Sequence, residues 1–512
     1  MDHRHKSGAL YVAGAGFVNM SLVKINSKPV TCDHWIGGEP KTPGSGQYRD
    51  VISPYTGSAI GKVALGSKAD VDAAVAAAQK AFPAWRATPM KERAQLLFKF
   101  RELVLANLDE LSHLAASESG KTHGEARAEV LKGIEVTEFA LSLQNSDSGG
   151  IMDVSRGVSC EMRREPLGVV AGIVPFNFPA MVPMWMYPIA IALGNCFVLK
   201  PSEKVPLTSQ RVARLTKEAG FPDGVFSLLN GTREAVEALI DHDLVKAVGF
   251  VGSSPVALDV YKRATARGKR ALCLGGAKNP LIVVPDADEA ITVRGVVDSF
   301  TGCAGQRCMA ASLMIAVGDV DHLIGKIRKT AAELPVGPGM GAIVDKGALD
   351  RIHRYVDDAE KAGAKIIVDG RKVKAPAGHE AGYWFGPTII DHARPDMACA
   401  REEIFGPVIT IVRAKTLAEA MAIDAGNPFG NATSVFTTSG AVARYVADHS
   451  TSGMIGVNIG VPVPREPFSF GGTKSSKYGH SDITGESSLD FWSSLKKITV
   501  KWSLQSDASW MS

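Results

Sequence analysis

The sequence predicts an α/β protein built from two blocks of alternating strands and helices, with detached strands beside them. Apolar positions repeat at helical spacing across residues 69–140. Short β-rich runs then alternate with helical runs across residues 168–274. This alternation is typical of a parallel sheet covered by helices on both faces. A second block of the same kind is predicted over residues 280–470.

Each element of the two blocks is predicted from its own stretch of sequence. In the first block, short β-rich runs predict strands at 168–174, 196–199, 225–229, 247–251 and 271–274. Helical spacing between and after these runs predicts helices at 184–193 and 209–219. In the second block, predicted strands include 281–284, 312–317 and 408–412. Residues 148–164 and 497–502 are predicted as strands outside both sheets, and such strands often pair across subunits.

Composition and charge narrow the class of protein. A chain of 512 residues is long enough for two or three domains. A net charge of +4 is small for this length and demands neither nucleic acid nor an anionic membrane. Seven scattered cysteines without a CxxC pair argue against zinc and suit a reducing cytosol. We therefore expect a cytoplasmic protein with no metal site, no nucleic-acid partner and no membrane segment.

The first 30 residues are predicted to be an N-terminal extension without stable structure. A basic stretch precedes a short apolar run there, which resembles a signal peptide only weakly. Met20 follows the run and is a candidate second start, so a targeting signal and an over-long gene start are the alternatives.

Cys308 is the candidate nucleophile. It follows Arg307 directly and is flanked by small residues that leave a thiol accessible. An adjacent guanidinium favours the thiolate, which is the reactive form. Arg307 also offers a planar fork of donors for a substrate carboxylate. From the local sequence alone, a buried and inert structural cysteine is the alternative.

Two other segments have the pattern of a nucleotide site. Gly252 and Ser253 follow a β-run and open a helical run, a junction that presents backbone N–H groups to a phosphate. Lys200 and Glu203 lie at the C-terminal end of another predicted strand, where open α/β sheets bind ligands. A plain strand–helix turn and a surface charge pair are the respective alternatives.

Five motifs in register resemble those of the aldehyde dehydrogenase superfamily, and the resemblance covers residues 35–502. The motifs are Pro175-Phe176-Asn177-Phe178-Pro179, Lys200-Pro201-Ser202-Glu203, Phe250-Val251-Gly252-Ser253, Gly305-Gln306-Arg307-Cys308 and Glu403-Ile404-Phe405-Gly406-Pro407.

The resemblance implies a fold with a Rossmann-like NAD-binding domain (31–147 and 167–275), an α/β catalytic domain (276–485) and a small β oligomerisation flap (148–166 and 486–504). It also implies a homodimer or homotetramer.

The resemblance further implies that Cys308 attacks the aldehyde carbon and that Asn177 donates to the oxyanion. The NAD contacts that it implies are Pro175, Phe176, Lys200, Ser202, Glu203, Gly252, Ser253, Glu403 and Phe405.

Cys273 departs from the pattern of the hydrolytic members. They carry a glutamate there that activates water, and a thiol near its free pKa is a poor base at neutral pH. With the following Ala277-Lys278-Asn279, the chain is most similar to the methylmalonate-semialdehyde dehydrogenase subfamily. That resemblance implies transfer of the acyl group to coenzyme A, with loss of a β-carboxylate and formation of propionyl-CoA or acetyl-CoA.

The implied substrate contacts are Arg307, Lys132, Phe178 and Trp185. Lys132 stands where the subfamily usually has a second arginine, and a lysine cannot grip a carboxylate bidentately. Another small or acidic aldehyde is therefore the alternative substrate. A hydrolytic enzyme with a different base and a non-catalytic protein that retains the fold are the competing hypotheses. NAD is expected as the cofactor, and NADP is the alternative.

Overall fold

A computed structural model describes residue 23 and residues 29–146 and 149–502. Its helices are α1 (Lys68–Ala87), α2 (Met90–Ala106), α3 (Leu108–Ser119), α4 (His123–Ser146), α5 (Met181–Met184), α6 (Tyr187–Ala192), α7 (Pro206–Glu218), α8 (Arg233–Asp241), α9 (Ser254–Thr265), α10 (Glu289–Thr301), α11 (Asp321–Ala332), α12 (Lys346–Lys361), α13 (Ala398–Arg401), α14 (Leu417–Ala425), α15 (Gly440–His449) and α16 (Ser487–Trp492).

The strands are β1 (Val30–Cys32), β2 (His34–Ile36), β3 (Glu39–Lys41), β4 (Tyr48–Ile52), β5 (Ala59–Ala64), β6 (Gly150–Ser155), β7 (Val158–Pro166), β8 (Val169–Ile173), β9 (Cys196–Lys200), β10 (Phe226–Leu228), β11 (Val245–Val251), β12 (Arg270–Leu274), β13 (Asn279–Val283), β14 (Ala311–Val317), β15 (Lys365–Val368), β16 (Thr388–Asp391), β17 (Val408–Ala414), β18 (Phe429–Gly430), β19 (Ala432–Phe436), β20 (Met454–Val457), β21 (Thr473–Lys474), β22 (Lys477–Tyr478) and β23 (Ser493–Lys501).

The first large sheet has the strand order β22-β12-β11-β8-β9-β10-β2-β3. Its five central strands, β12 to β10 in that order, are parallel, as the sequence predicts. These strands are almost wholly buried, because helices cover both faces of the sheet. The antiparallel edge strands β2, β3 and β22 were missed, since each has only two or three residues.

The second large sheet has the order β15-β16-β17-β14-β13-β19-β20 and is parallel apart from β15. The strand β22 precedes residue 485 in the chain, yet it pairs with β12 of the first sheet. The C-terminal part of the predicted catalytic segment 276–485 therefore crosses back to the first sheet.

A small sheet formed by β6, β7 and β23 is antiparallel throughout. The detached strands predicted at 148–164 and 497–502 are those of this sheet. Helix α16 occupies the first part of the segment 486–504 that was predicted as strand. Side chains on both faces of β6 are strongly exposed, Ile151 at 75% and Met152 at 68%.

The prediction of one continuous helix over residues 184–193 was wrong. Pro188 lies within this segment and Pro183 directly precedes it, and a proline fits the start of a helix but not its interior. The structure has two short helices instead, α5 and α6, with Pro188 in the first turn of α6. Most of the predicted extension 1–30 lies outside the described residues, although Val30 begins β1.

The carboxyl edge of the first large sheet and the amino edge of the second carry the loops that form the site. Residues after β8, β9, β11 and β12 leave the carboxyl edge of the first sheet, where the nucleotide motifs lie. Residues before β13, β14 and β17 enter the opposite, amino edge of the second sheet. The loops that carry Cys308 and Glu403 are among them, so the site lies between the two sheets. In the described part of the chain, no helix combines the length and apolar character needed to cross a bilayer.

Candidate active site

The loop that carries Cys308 leaves α10 through a 3₁₀ turn at Gly302–Gly305 with an unusual backbone. Cys303 and Ala304 adopt left-handed conformations, with φ of 52° and 51°. Gly305 does the same at 69°, and a Cβ there would lie 1.9 Å from the Gly406 carbonyl oxygen. The close approach joins this loop to the motif that contains Glu403.

Two asparagines hold the backbone of the nucleophile. The carbonyl oxygen of Cys308 accepts hydrogen bonds from Asn279 Nδ2 at 2.7 Å and from Asn431 Nδ2 at 3.0 Å. Asn279 begins β13 and Asn431 lies just before β19, so neighbouring strands position both amides. Sequence reasoning missed this role, because the residues are 29 and 123 positions away from Cys308.

Burial has the largest effect on the acidity of the Cys308 thiol. Burial raises its pKa to about 12, and the Glu403 carboxylate adds to the rise. The Arg307 charge opposes them more weakly. The Arg307 charge thus favours the thiolate, as the sequence predicts, but desolvation outweighs it.

Asn177 lies beside the nucleophile loop. Its Nδ2 donates to the carbonyl oxygen of Gln306 at 3.0 Å, across a sequence separation of 129 residues. Gln306 is itself fixed, since its Oε1 accepts from Val344 N and its Nε2 donates to the Ala342 carbonyl. The Asn177 amide carries a second N–H that can donate to another acceptor.

Glu403 is held at the end of β12. Its Oε1 accepts a hydrogen bond from Ala277 N at 3.0 Å, and a Cβ on Gly276 would lie 2.3 Å from its Oε2. Burial raises the pKa of Glu403 to about 7. Phe405, two residues on, packs edge-on against Phe176 with ring centroids 5.7 Å apart.

A cleft of about 960 Å³ opens at the carboxyl edge of the first sheet. Its volume falls within the roughly 300–1,000 Å³ typical of cofactor sites. Lys200 is buried there, and its Nζ lies 3.7 Å from Glu203 Oε2. The other predicted cofactor residues on its wall are Pro175, Phe176, Ser202, Gly252 and Ser253. Seven of the nine predicted contacts thus line this cleft. Phe405 packs on one of them, Phe176, and Glu403 lies on the same loop as Phe405.

Arg307 turns back toward α10. Its Nη2 donates to the carbonyl oxygens of Asp298 at 2.6 Å and Ser299 at 2.9 Å. A guanidinium can bind a carboxylate bidentately through Nε with Nη2 or through Nη1 with Nη2. Because Nη2 belongs to both pairs, these carbonyl contacts partly occupy each of them. A carboxylate that binds Arg307 bidentately has to displace one of the two carbonyls.

Lys132 lies on α4 and is paired with two carboxylates. Its Nζ is 3.0 Å from Glu135 Oε2 and 3.1 Å from Glu466 Oε2. The next residue, Gly133, packs on Met184, beside the predicted substrate contact Trp185. Trp185 is buried, and its ring lies 4.5 Å from that of Phe470.

Phe178 rests on a buried ion pair that sequence reasoning did not connect with the site. Lys121 Nζ lies 3.7 Å from the centroid of the Phe178 ring and pairs with Glu129. The other Glu129 oxygen accepts from the backbone N–H groups of Ala180 and Met181. Only the fold reveals this support, because Lys121 and Phe178 belong to separate elements.

Cys273 lies on β12 and is completely buried. It pairs with Phe250 of β11 on one side and with Tyr478 of β22 on the other. Desolvation raises the pKa of its thiol to about 12. A thiol that keeps its proton at neutral pH is a poor base for activating water.

The arrangement can therefore support covalent catalysis beside a nucleotide cleft. A cysteine on a rigid loop lies near an amide donor, and no carboxylate stands at position 273. Among the described residues, no cluster of three or more His, Cys, Asp or Glu side chains could hold a metal ion.

The family comparison agrees with this geometry. The family model described as the aldehyde dehydrogenase family matches residues 41–498. A curated relative from Geobacillus kaustophilus, named malonate-semialdehyde dehydrogenase 2, is 43% identical over 92% of this chain and 99% of its own length. Malonate-semialdehyde dehydrogenase from Halalkalibacterium halodurans is 41% identical over 92% of this chain and 98% of its own.

Solved structures give the same result. A protein from Sinorhizobium meliloti 1021, assigned as a methylmalonate-semialdehyde dehydrogenase and solved with NAD, superposes with a TM-score of 0.92. It is 40% identical and covers 94% of this chain and 100% of its own. Methylmalonate-semialdehyde dehydrogenase from Oceanimonas doudoroffii has a TM-score of 0.91 and 42% identity, with 93% and 99% covered.

Proposed function

Since this chain belongs to the aldehyde dehydrogenase family, we propose that it oxidises malonate or methylmalonate semialdehyde with NAD as the hydride acceptor. We propose further that coenzyme A takes up the acyl group, so that the product is acetyl-CoA or propionyl-CoA. Relatives that match nearly the whole chain support the substrate class. The observation that carries the coenzyme A step is the fully buried, neutral Cys273.

Cys308 is the proposed nucleophile. Its thiol releases a proton to solvent, and the sulfur bonds to the aldehyde carbon while the electron pair of the C=O π bond moves to the carbonyl oxygen, which becomes an oxyanion. The second N–H of Asn177 and the backbone N–H of Cys308 are the proposed donors to that oxyanion. Asn279 and Asn431 would keep the loop in place during attack, because both hold the Cys308 carbonyl.

The cleft fits a dinucleotide in volume and in chemistry. Lys200 and Glu203 would hold the adenosine ribose, and the backbone at Ser253, where α9 begins, would face the pyrophosphate. Glu403 would hold the nicotinamide ribose. When bound, NAD⁺ supplies a hydride acceptor, and loss of hydride from the reacting carbon leaves a thioester on Cys308.

Deacylation is proposed to proceed without an activated water. The β-carboxylate leaves as CO₂ or bicarbonate, and the electron pair of the broken C–C bond stays on the α-carbon, which takes up a proton. The coenzyme A thiolate then attacks the thioester and expels the Cys308 thiolate. Arg307 and Lys132 are the proposed cationic contacts of the substrate carboxylate, and Phe178 and Trp185 the apolar walls.

We also propose a homodimer or homotetramer in the cytoplasm. The exposed apolar side chains of β6 support pairing between subunits, since a monomer would leave this edge strand in water. The free cysteines suit a reducing compartment.

The test is product analysis of the purified protein with malonate semialdehyde and NAD⁺, with and without coenzyme A. We expect NADH and acetyl-CoA in equal amounts when coenzyme A is present. Cys308→Ala is the control, and it should abolish both products while NAD⁺ still raises the melting temperature. Sustained formation of free acid without coenzyme A would instead establish the hydrolytic alternative.

A further inference from the structure

The two carboxylates on Lys132 differ in kind. Glu135 lies one turn along the same helix, and its side chain is 38% exposed. Glu466 is 334 residues away in the chain, and its side chain is only 6% exposed. Lys132 itself is 20% exposed. Water screens the first pair more than the second, so Glu466 is the stronger electrostatic partner.

Glu466 belongs to a loop, residues 460–470, that borders both cations proposed to hold the substrate carboxylate. At its start, the Gly460 carbonyl accepts from Ser299 Oγ at 2.8 Å, and Ser299 O accepts from Arg307. At its end, the Phe470 ring packs against Trp185 at a tilt of 37°. The six Cα-to-Cα steps from residue 460 to residue 466 can span at most about 22 Å.

The backbone of this loop has anchors that do not involve Glu466. Pro467 O accepts from Glu486 N at 3.0 Å, and Phe470 O accepts from Ile483 N at 3.1 Å. Phe470 N donates to Thr484 Oγ1 at 3.1 Å. Removal of the Glu466 charge therefore leaves the loop attached.

The net charge of Lys132, Glu135 and Glu466 disfavours the binding of an anionic substrate. One ammonium faces two carboxylates, so the group carries a net charge of −1. Two of the three N–H donors of Lys132 are directed at these carboxylates. A substrate carboxylate has to replace Glu466 or bind beside it against like-charge repulsion.

We infer that Glu466 is a specificity-determining residue that occupies Lys132 in place of a substrate carboxylate and so limits the preference for carboxylated aldehydes. The inference rests on the proposed function, because it assumes that Lys132 contacts the substrate. It predicts that this protein discriminates less between charged and uncharged aldehydes than the same site without Glu466 would.

The experiment compares kcat/KM for malonate semialdehyde with kcat/KM for propanal, an uncharged aldehyde of similar size. In Glu466→Gln and Glu466→Ala, we expect the ratio of the two values to rise about tenfold, mainly through a lower KM for the charged substrate. Glu135→Gln is the matched control, and its exposed pair should change the ratio less than about threefold. Adding Lys132→Met to Glu466→Gln should return the ratio to the wild-type value or below.

An unchanged ratio in both Glu466 variants, with acetyl-CoA still formed by the wild type, overturns the inference and leaves the proposed function standing. A rise in the ratio that persists after Lys132→Met is added also overturns the inference, because Glu466 would then act through a group other than Lys132. If neither the wild type nor the Glu466 variants form acetyl-CoA, the proposed function and the inference both fall. A variant that gains this activity where the wild type lacks it supports the inference.

Discussion

Omitting coenzyme A should separate acylation from deacylation in this enzyme. Cys273 stands where a hydrolytic member would carry its base, and burial raises its pKa to about 12. Near pH 7 the thiolate fraction of such a group is about 10⁻⁵. A positioned general base contributes about 10²–10⁴-fold. Hydrolysis of the thioester should therefore be at least about 10²-fold slower than in an enzyme with a positioned base.

Rapid-mixing measurement of NADH fluorescence tests this expectation. Without coenzyme A, we expect a burst of about one NADH per active site, followed by a slow steady state. With coenzyme A the fast phase should continue. Cys273→Ser is the matched control, since it replaces one neutral group with another and should keep the burst. Cys273→Glu should raise the slow rate if the buried position accepts a carboxylate.

Fast and sustained NADH production in the absence of coenzyme A would refute this reasoning. It would mean that some group other than Cys273 activates water. Loss of that activity in Cys273→Ser would point to Cys273 itself, despite its burial.

Three further predictions concern reactivity, charge and stability. In a Cys160→Ser background, which removes a partly exposed thiol, iodoacetamide should alkylate Cys308 about 10³-fold more slowly than free cysteine near pH 7, with the rate rising about tenfold per pH unit. A rate that levels off near neutral pH would show that the thiolate is already formed. Arg307→Leu should lower kcat/KM for malonate semialdehyde about 30- to 1,000-fold more than for propanal, and it should lower the melting temperature because two hydrogen bonds to α10 are lost; equal losses for both aldehydes would remove Arg307 from substrate binding. Glu129→Ala should reduce the free energy of unfolding in urea by about 3–5 kcal/mol, since it leaves the Lys121 ammonium buried without its partner. A loss below about 1 kcal/mol would show that water or another group takes over.

The sequence by itself determined the α/β class, the order of the central strands along the chain and the family. Strands such as β8, β9 and β11 follow from local apolar runs, and their alternation with helices predicts the parallel sheet. Motifs around Cys308 and Ser253 depend on adjacent residues, so they can be recognised without a structure. The short edge strands β2, β3 and β22 carry too few residues for a periodic signal.

Only the tertiary structure decided the environment of the site. The pKa of Cys308 depends on burial and on Glu403, which no neighbour in sequence reports. Asn279 and Asn431 reach the Cys308 carbonyl from separate strands, and Glu466 reaches Lys132 across 334 residues. Desolvation and Coulomb interactions depend on distance in space, whereas a sequence pattern records only distance along the chain.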